Sequence, residues 1–322
     1  MNQETYSLWV RINGIAHSFG RELGCPCNRC RAVNYHLPPP PSRLETFPGW
    51  EDPPHRAHTS ASLLIGNQSG GVSGHLLIDV GGGVVDGLAG TAIPGLAEVS
   101  AVLLTHGHRD HSCGLSQLGE SLRHAAQSHH REFTAIPLYC TLATYRRLYD
   151  HGGLNQVLDR CFSFREIAPE SPFTVEVGPK PVRVTPLPVV HGSIDGAVIY
   201  LAEALEKKIL FAWDMETPDA AFPDGRTNLD VFRDYASLLN HADLHLQECN
   251  TWAVPGWGHS TYQQAKRYFE IVAARRTLLV HYSGHEDGPG AAGYGWTDAQ
   301  WQAAVEPDGV GAAWQGMLFP IT

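Results

Sequence analysis

Residues 99–114 read VSAVLLTHGHRDHSCG, and the two halves of this stretch obey different rules. Residues 99–105 form a short run rich in branched apolar side chains, the pattern of a buried strand. It leads directly into His106, His108, Asp110 and His111, an H-x-H-x-D-H cluster, after which Gly114-Leu115 opens a predicted helix. Imidazole and carboxylate are the ligand types taken by zinc and related divalent cations. Three imidazoles and a carboxylate gathered at a strand end have no account in packing. The competing reading is a polar loop in a chain that simply holds 18 histidines. It loses because further strand ends downstream also deliver His or Asp. The stretch predicts a metal site.

The same junction recurs along the chain. Residues 60–65 and 75–80 predict a hairpin whose second strand carries Asp79 and runs into Gly81-Gly82-Gly83. Glycines there let a backbone approach a metal cluster closely, although Asp79 taken alone also reads as a turn cap. Strand-like residues 182–188 precede His191, and 208–212 precede Trp213-Asp214. Residues 242–247 precede Glu248, and 277–280 precede His281. Strand ends held by a rigid sheet are where a site needs its ligands. Residues 5–19 predict an opening strand with Leu8, Val10 and Ile12 on one face and a turn signal at Asn13-Gly14. Short strands are expected at 137–140, 161–172 (with a loop) and 197–202. Helices are expected at 119–131, 141–151, 260–274 and 297–305, with a last strand in the tail. In the helix after His259, Ser260 or Thr261 serves as N-cap, so His259 also reads as a mere neighbour of a cap.

Near the N-terminal end, Cys25, Cys27 and Cys30 form a C-x-C-x-x-C. Three thiolates this close do not all pair as disulfides, but they can point at one tetrahedral zinc if a fourth ligand arrives from elsewhere. Four protein ligands leave no open position, so such a zinc is structural; the alternative is a reduced, solvent-facing thiol loop. Residues 36–58 hold Pro38 to Pro41, Pro48, Pro53 and Pro54 without periodicity, an extended loop long enough to cover part of an active-site face.

Composition narrows the class. With 322 residues, 43% of them apolar and 17% charged, the chain can bury a full core. We expect one domain over 1–322, with the cysteine cluster at 25–30, the proline-rich loop at 36–58 and an extension at 286–322. The formal charge of −10 argues against a nucleic-acid surface. No run of about 18 apolar residues suggests a membrane span, and the first residues lack a signal-peptide pattern. Seven cysteines, three of them clustered, fit a reduced compartment. The expected location is cytoplasmic. Trp296, Trp301 and Trp314 read as core or interface residues rather than a substrate platform.

The set Asp79, His106/His108/Asp110/His111, His191, Asp214 and His281 resembles the five ordered motifs of the metallo-β-lactamase-fold hydrolases, over roughly residues 60–285. The resemblance implies an α/β fold, an αββα sandwich of two facing sheets with helices outside and the metals at one edge. It implies that His106, His108 and His191 bind one metal and that Asp110, His111 and His281 bind a second. Asp214 would bridge them, and Asp79 would orient ligands from behind. Two cations close together lower the pKa of a shared water and neutralise a bound oxyanion. Zinc, manganese and iron all suit this ligand set.

The elements Gly258-His259-Ser260-Thr261 and Leu278 to Ser283 are similar to those of the phosphodiesterase branch, which includes ribonuclease Z. That likeness implies that His259 faces the substrate phosphate and protonates the leaving oxygen, with Glu248 supporting it. The cysteine cluster is similar to the accessory zinc site of the cyclic-phosphate phosphodiesterases of carbon–phosphorus bond cleavage. A related cluster occurs in the pyrroloquinoline quinone biosynthesis B proteins. The likeness implies His285 as the fourth ligand, with His259 as the fallback. The leading expectation is a dinuclear-metal phosphodiesterase for a small, even cyclic, phosphate ester, working as a homodimer by resemblance. The alternatives are a hydrolase of another ester, such as a lactone or thioester, and a non-hydrolytic cofactor-biosynthesis protein of the same fold.

Overall fold

Alternation builds both sheets and decides which faces are dry. The computed structural model describes residues 5–17, 25–32, 36–39, 41–51, 53, 55–90, 95–96, 99–255, 258–282, 285 and 287–322. Residues 18–19 of the expected opening strand, Pro40, Pro54 and Ser283 lie outside the described residues.

One sheet contains β1 (Ser7–Gly14), β2 (Ser60–Gly66), β3 (Val72–Ile78), β4 (Val99–Leu103), β5 (Ile136–Cys140), β6 (Phe162–Glu166) and β14 (Leu318–Pro320), in the order β14-β1-β2-β3-β4-β5-β6. The other contains β7 (Phe173–Val177), β8 (Lys180–Pro188), β9 (Val198–Ala204), β10 (Lys207–Ala212), β11 (Leu244–Glu248), β12 (Thr277–Val280) and β13 (Gly311–Ala312), ordered β13-β12-β11-β10-β9-β8-β7. Val10, Ile12, Leu63, Leu76, Ile78 and Leu103 of the first sheet meet Val184, Tyr200, Phe211, Leu246 and Val280 of the second in one buried core. Alternate residues point outward and are covered by helices. Leu77, Val102 and Leu138 pack under α2 (Val84–Ala89), α4 (Leu115–Ser128) and α6 (Asn155–Cys161). Ile199, Leu201 and Leu210 pack under α7 (Asn228–Asp234), α8 (Ala236–Leu239) and α9 (Tyr262–Val272). The molecule is a four-layer αββα sandwich.

Strand direction places the site. β3, β4, β5 and β6 run parallel, and so do β10, β11 and β12, while β9 is the antiparallel return between β8 and β10. The C-terminal ends of β8, β10, β11 and β12 therefore share one edge of their sheet, and those of β3 and β4 share one edge of the other.

The structure corrects several local expectations. Asn13-Gly14 is no turn. Asn13 is buried and donates to the hydroxyls of Ser60 and Ser62 at 3.1 and 3.0 Å. A Cβ at Gly14 would fall 2.0 Å from the His58 carbonyl, so glycine is needed there for close approach. The described part of the proline-rich segment runs along the β14 edge, through Phe47 to Leu318 and Trp50 to Gln315, and at its end the His58 ring accepts from the Gly82 amide at 3.0 Å, beside the turn that follows Asp79. The expected helix at 141–151 is α5 (Leu142–Arg146) followed by a π-helical turn, Arg147–His151. Thr297 caps α10 (Asp298–Val305), in which Trp301 is fully buried. No helix among the described residues is long and apolar enough to cross a membrane.

Candidate metal centre

Three strand ends turn in the same unusual way. Asp79 directly follows β3, Asp214 lies two residues beyond β10, and His281 directly follows β12; their φ angles are +57°, +56° and +59°. That left-handed region is unfavourable for residues with a side chain and persists only where surroundings hold it. At all three positions it bends the chain at the shared edge of the sandwich.

Two groups of ligand atoms converge there. His106, His108 and His191 form the first: His106 Nε2 lies 2.9 Å and His191 Nε2 3.1 Å from His108 Nδ1. Asp110, His111, Asp214 and His281 form the second. His108 caps the N-terminal end of α3 (Arg109–Ser112), which carries Asp110 and His111. The Asp214 carboxylate touches both groups. Its Oδ2 is 3.0 Å from His111 Nε2, and its Oδ1 is 3.3 Å from His281 Nε2 and 3.6 Å from His191 Nε2. His111 Nε2, His281 Nε2 and Asp214 Oδ2 are buried without hydrogen-bond partners. Buried polar atoms are almost always satisfied, and a divalent cation would satisfy all three. The donor set fits two such ions.

Asp79 belongs to neither group because its oxygens are taken. Oδ2 accepts from His111 Nδ1 at 2.8 Å, Thr105 Oγ1 at 2.7 Å and Trp213 Nε1 at 2.7 Å, and Oδ1 accepts from the Thr105 amide at 2.8 Å. This fixes the His111 tautomer so that Nε2 faces Asp214. Thr105 and Trp213 escape the sequence reading; the only signal is that each adjoins a ligand. Glu248 is fully buried and accepts from the Met215 and Ser260 amides at 3.1 and 2.9 Å. It also meets His259 Nδ1 at 3.2 Å. The His259 ring centroid lies 4.8 Å from that of His281 and 5.2 Å from that of His191. Thr261, not Ser260, caps α9.

The electrostatics are those of a cation site. Burial pushes His106 well below its ordinary pKa, His108 and His281 down to about 4, and His191 down as well. Each of these shifts favours the neutral imidazole, the form that ligates. Burial would also lower His111, but Asp214, Asp110 and Asp79 surround it and raise it. Burial would raise Asp110 and Asp214, but His111 beside each holds them well below the usual carboxylate range. Negative charge is thus concentrated where a cation would sit.

A second cluster joins the ends of the sequence. Cys30 Sγ lies 2.9 Å from His285 Nε2, Cys27 Sγ 3.7 Å from the same atom, and Cys25 Sγ 3.6 Å from His285 Nδ1. These four residues bring ligand atoms within 4.8 Å of one another, a set that could hold zinc. His285 is therefore with the cysteines and His259 is with Glu248. Arg29, between the cysteines on α1 (Asn28–Arg31), donates to the Tyr282 carbonyl at 3.1 Å and to Asp298 at 3.2 Å. Arg56 also donates to Asp298, at 3.0 Å. Burial would raise Asp298, but Arg56 and Arg29 hold it low. Its contribution to stability is therefore present above the ordinary carboxylate range and fades as pH falls through the lowered value. Asp298→Ala would remove the buried carboxylate that Arg29 and Arg56 both address, so urea unfolding should show a loss of about 3–5 kcal/mol.

Residues 75–282 match the model of the beta-lactamase superfamily domain. Among solved structures, a diphosphatase of the PhnP family is similar with 19% identity and a TM-score of 0.66, covering 99% of this chain and 98% of its own. PqqB from Methylobacterium extorquens, solved with zinc bound, is similar with 18% identity and a TM-score of 0.64, over 97% and 99%. The short form of human tRNase Z is similar with 15% identity and a TM-score of 0.57, over 98% and 99%. No curated protein sequence matches the chain.

Proposed function

This chain belongs to the beta-lactamase superfamily, and on that premise we propose that it is a dinuclear-metal phosphodiesterase acting on a small phosphate ester. The family consists predominantly of metal-dependent hydrolases, which sets the reaction class. The observation that carries the dinuclear part is the Asp214 carboxylate, in reach of His191 on one side and of His111 and His281 on the other. The phosphodiester part is supported by His259, backed by a buried Glu248 at the edge of both ligand groups.

Two divalent cations would supply Lewis-acid activation of a water and neutralise charge on the phosphoryl oxygens. His106, His108 and His191 would hold one, Asp110, His111 and His281 the other, with Asp214 shared. Asp79 keeps His111 in the tautomer that presents Nε2. In its imidazolium form His259 donates Nδ1–H to Glu248 and carries on Nε2 a second proton, the one given to the departing alkoxide oxygen. The cysteine cluster with His285 would hold a structural zinc that ties Arg29, and through it the Tyr282 carbonyl, to the strand end bearing His281.

Metal analysis alongside hydrolysis of bis(p-nitrophenyl) phosphate tests the reading. We expect about three metals per chain and chelator-sensitive turnover. About two metals would remove the structural zinc. Turnover of lactones or thioesters without any phosphodiester activity would overturn the proposal.

A further inference from the structure

Beside the two ligand groups lies a cavity of ≈ 540 Å³ with a cationic wall. His108 and Asp110 line one side, and Arg109, Arg147 and His151 line another. Arg109 opens α3, while Arg147 and His151 begin and end the π-helical turn after α5. A π turn is a rare, wider coil that recurs at functional sites, and it brings residues four or five apart onto one face.

Gly107 fixes the approach. A Cβ there would fall 2.8 Å from Arg147 Cδ and 3.3 Å from its Cβ. The bare glycine thus lets the Arg147 stem lie against the backbone between His106 and His108. Arg123, Arg183, Arg226 and Arg267 each pair with a carboxylate. Among the described residues, Arg109 and Arg147 pair with none. In a chain of formal charge −10, two uncompensated guanidiniums at the mouth of a cleft attract anions. The guanidinium fork matches a phosphate group geometrically.

We infer that this cavity is an anion subsite, and that the substrate carries a second phosphate seated by Arg147 and Arg109 while its diester lies at the ligand groups. This rests on the phosphodiesterase reading and narrows it to small bisphosphorylated substrates. It also assigns Gly107, Arg109, Arg147 and His151 to specificity.

Two esters separate the outcomes: p-nitrophenyl thymidine 5′-phosphate, with and without a phosphate on the 3′ oxygen. For wild type we expect kcat/KM about 10- to 100-fold higher with the extra phosphate, the worth of a charge-assisted hydrogen bond. Arg147→Ala and Arg109→Ala should bring the ratio toward one. Arg147→Lys should restore part of it, since an ammonium keeps the charge but loses the fork. Arg131→Ala, outside the cavity, should keep the wild-type ratio, and thermal melting checks that each variant folds. Equal hydrolysis of both esters, with a ratio indifferent to Arg147, would overturn the subsite and leave the phosphodiesterase reading standing. Hydrolysis of neither ester would overturn both.

Discussion

Asp214→Asn is expected to lower phosphodiester turnover by more than about 100-fold, the loss that already follows removal of a partner standing behind a metal ligand. Asparagine preserves the volume and leaves one oxygen, but it removes the negative charge shared by the two groups. Asp214 is buried, and no other carboxylate among the described residues reaches His191, His111 and His281 together. Metal content should fall below two ions in the histidine–aspartate centre, while the cysteine cluster keeps its zinc because its ligands are separate. Atomic absorption on the purified variant reads both quantities. Full activity with a single retained ion would show that Asp214 does not couple two metals.

His259→Ala is expected to cut kcat by about 10²- to 10⁴-fold when the leaving group is an alkyl alcohol, the usual contribution of a positioned acid. The effect should shrink with p-nitrophenolate, which departs as an anion without needing a proton. That dependence on the leaving group is what a structural role would not produce. Glu248→Gln should weaken the same step less, because its remaining oxygen can still accept from His259 Nδ1, while the new NH2 takes over a place where the carboxylate accepted from a backbone amide. Metal content should stay unchanged in His259→Ala. His259 also lies in a group with Asp214, Glu248 and His281, so a fall in metal content would make it a ligand instead of an acid.

Much of this arrangement is legible in the sequence because both strand signals and ligand types are local. A branched apolar run ending in His or Asp states its own geometry, and the ordered set of such ends carries the resemblance that implies the αββα architecture. Less local features stay hidden. Nothing around Trp213 says that its indole crosses to Asp79 on the other sheet, since that contact spans 134 positions. The C-x-C-x-x-C advertises its sulfurs but not Arg29 between them, whose partner Asp298 is 269 residues away. Asn13-Gly14 misleads for a related reason: a dipeptide that usually turns a chain instead lies beneath His58, a contact that no local pattern encodes. Arg147 is equally silent, because one arginine on a short helix reads as a solvated face until Gly107 is found under its stem.

The pairing of β1 with β14 has a consequence for the order in which this molecule is assembled. Val10 lies opposite Phe319, Cys27 meets His285 and Arg29 meets Asp298, so the earliest elements made during synthesis wait for some of the latest. Closing loops of that length is slow, because the entropy is lost before any contact rewards it. Until residues 318–320 arrive, one edge of β1 offers unpaired amides and carbonyls, a template for joining another chain. The thiols at 25–30 are then also without their histidine and open to oxidation. Until His285 and residues 318–320 have docked, the chain therefore exposes a strand edge prone to aggregation and thiols prone to oxidation.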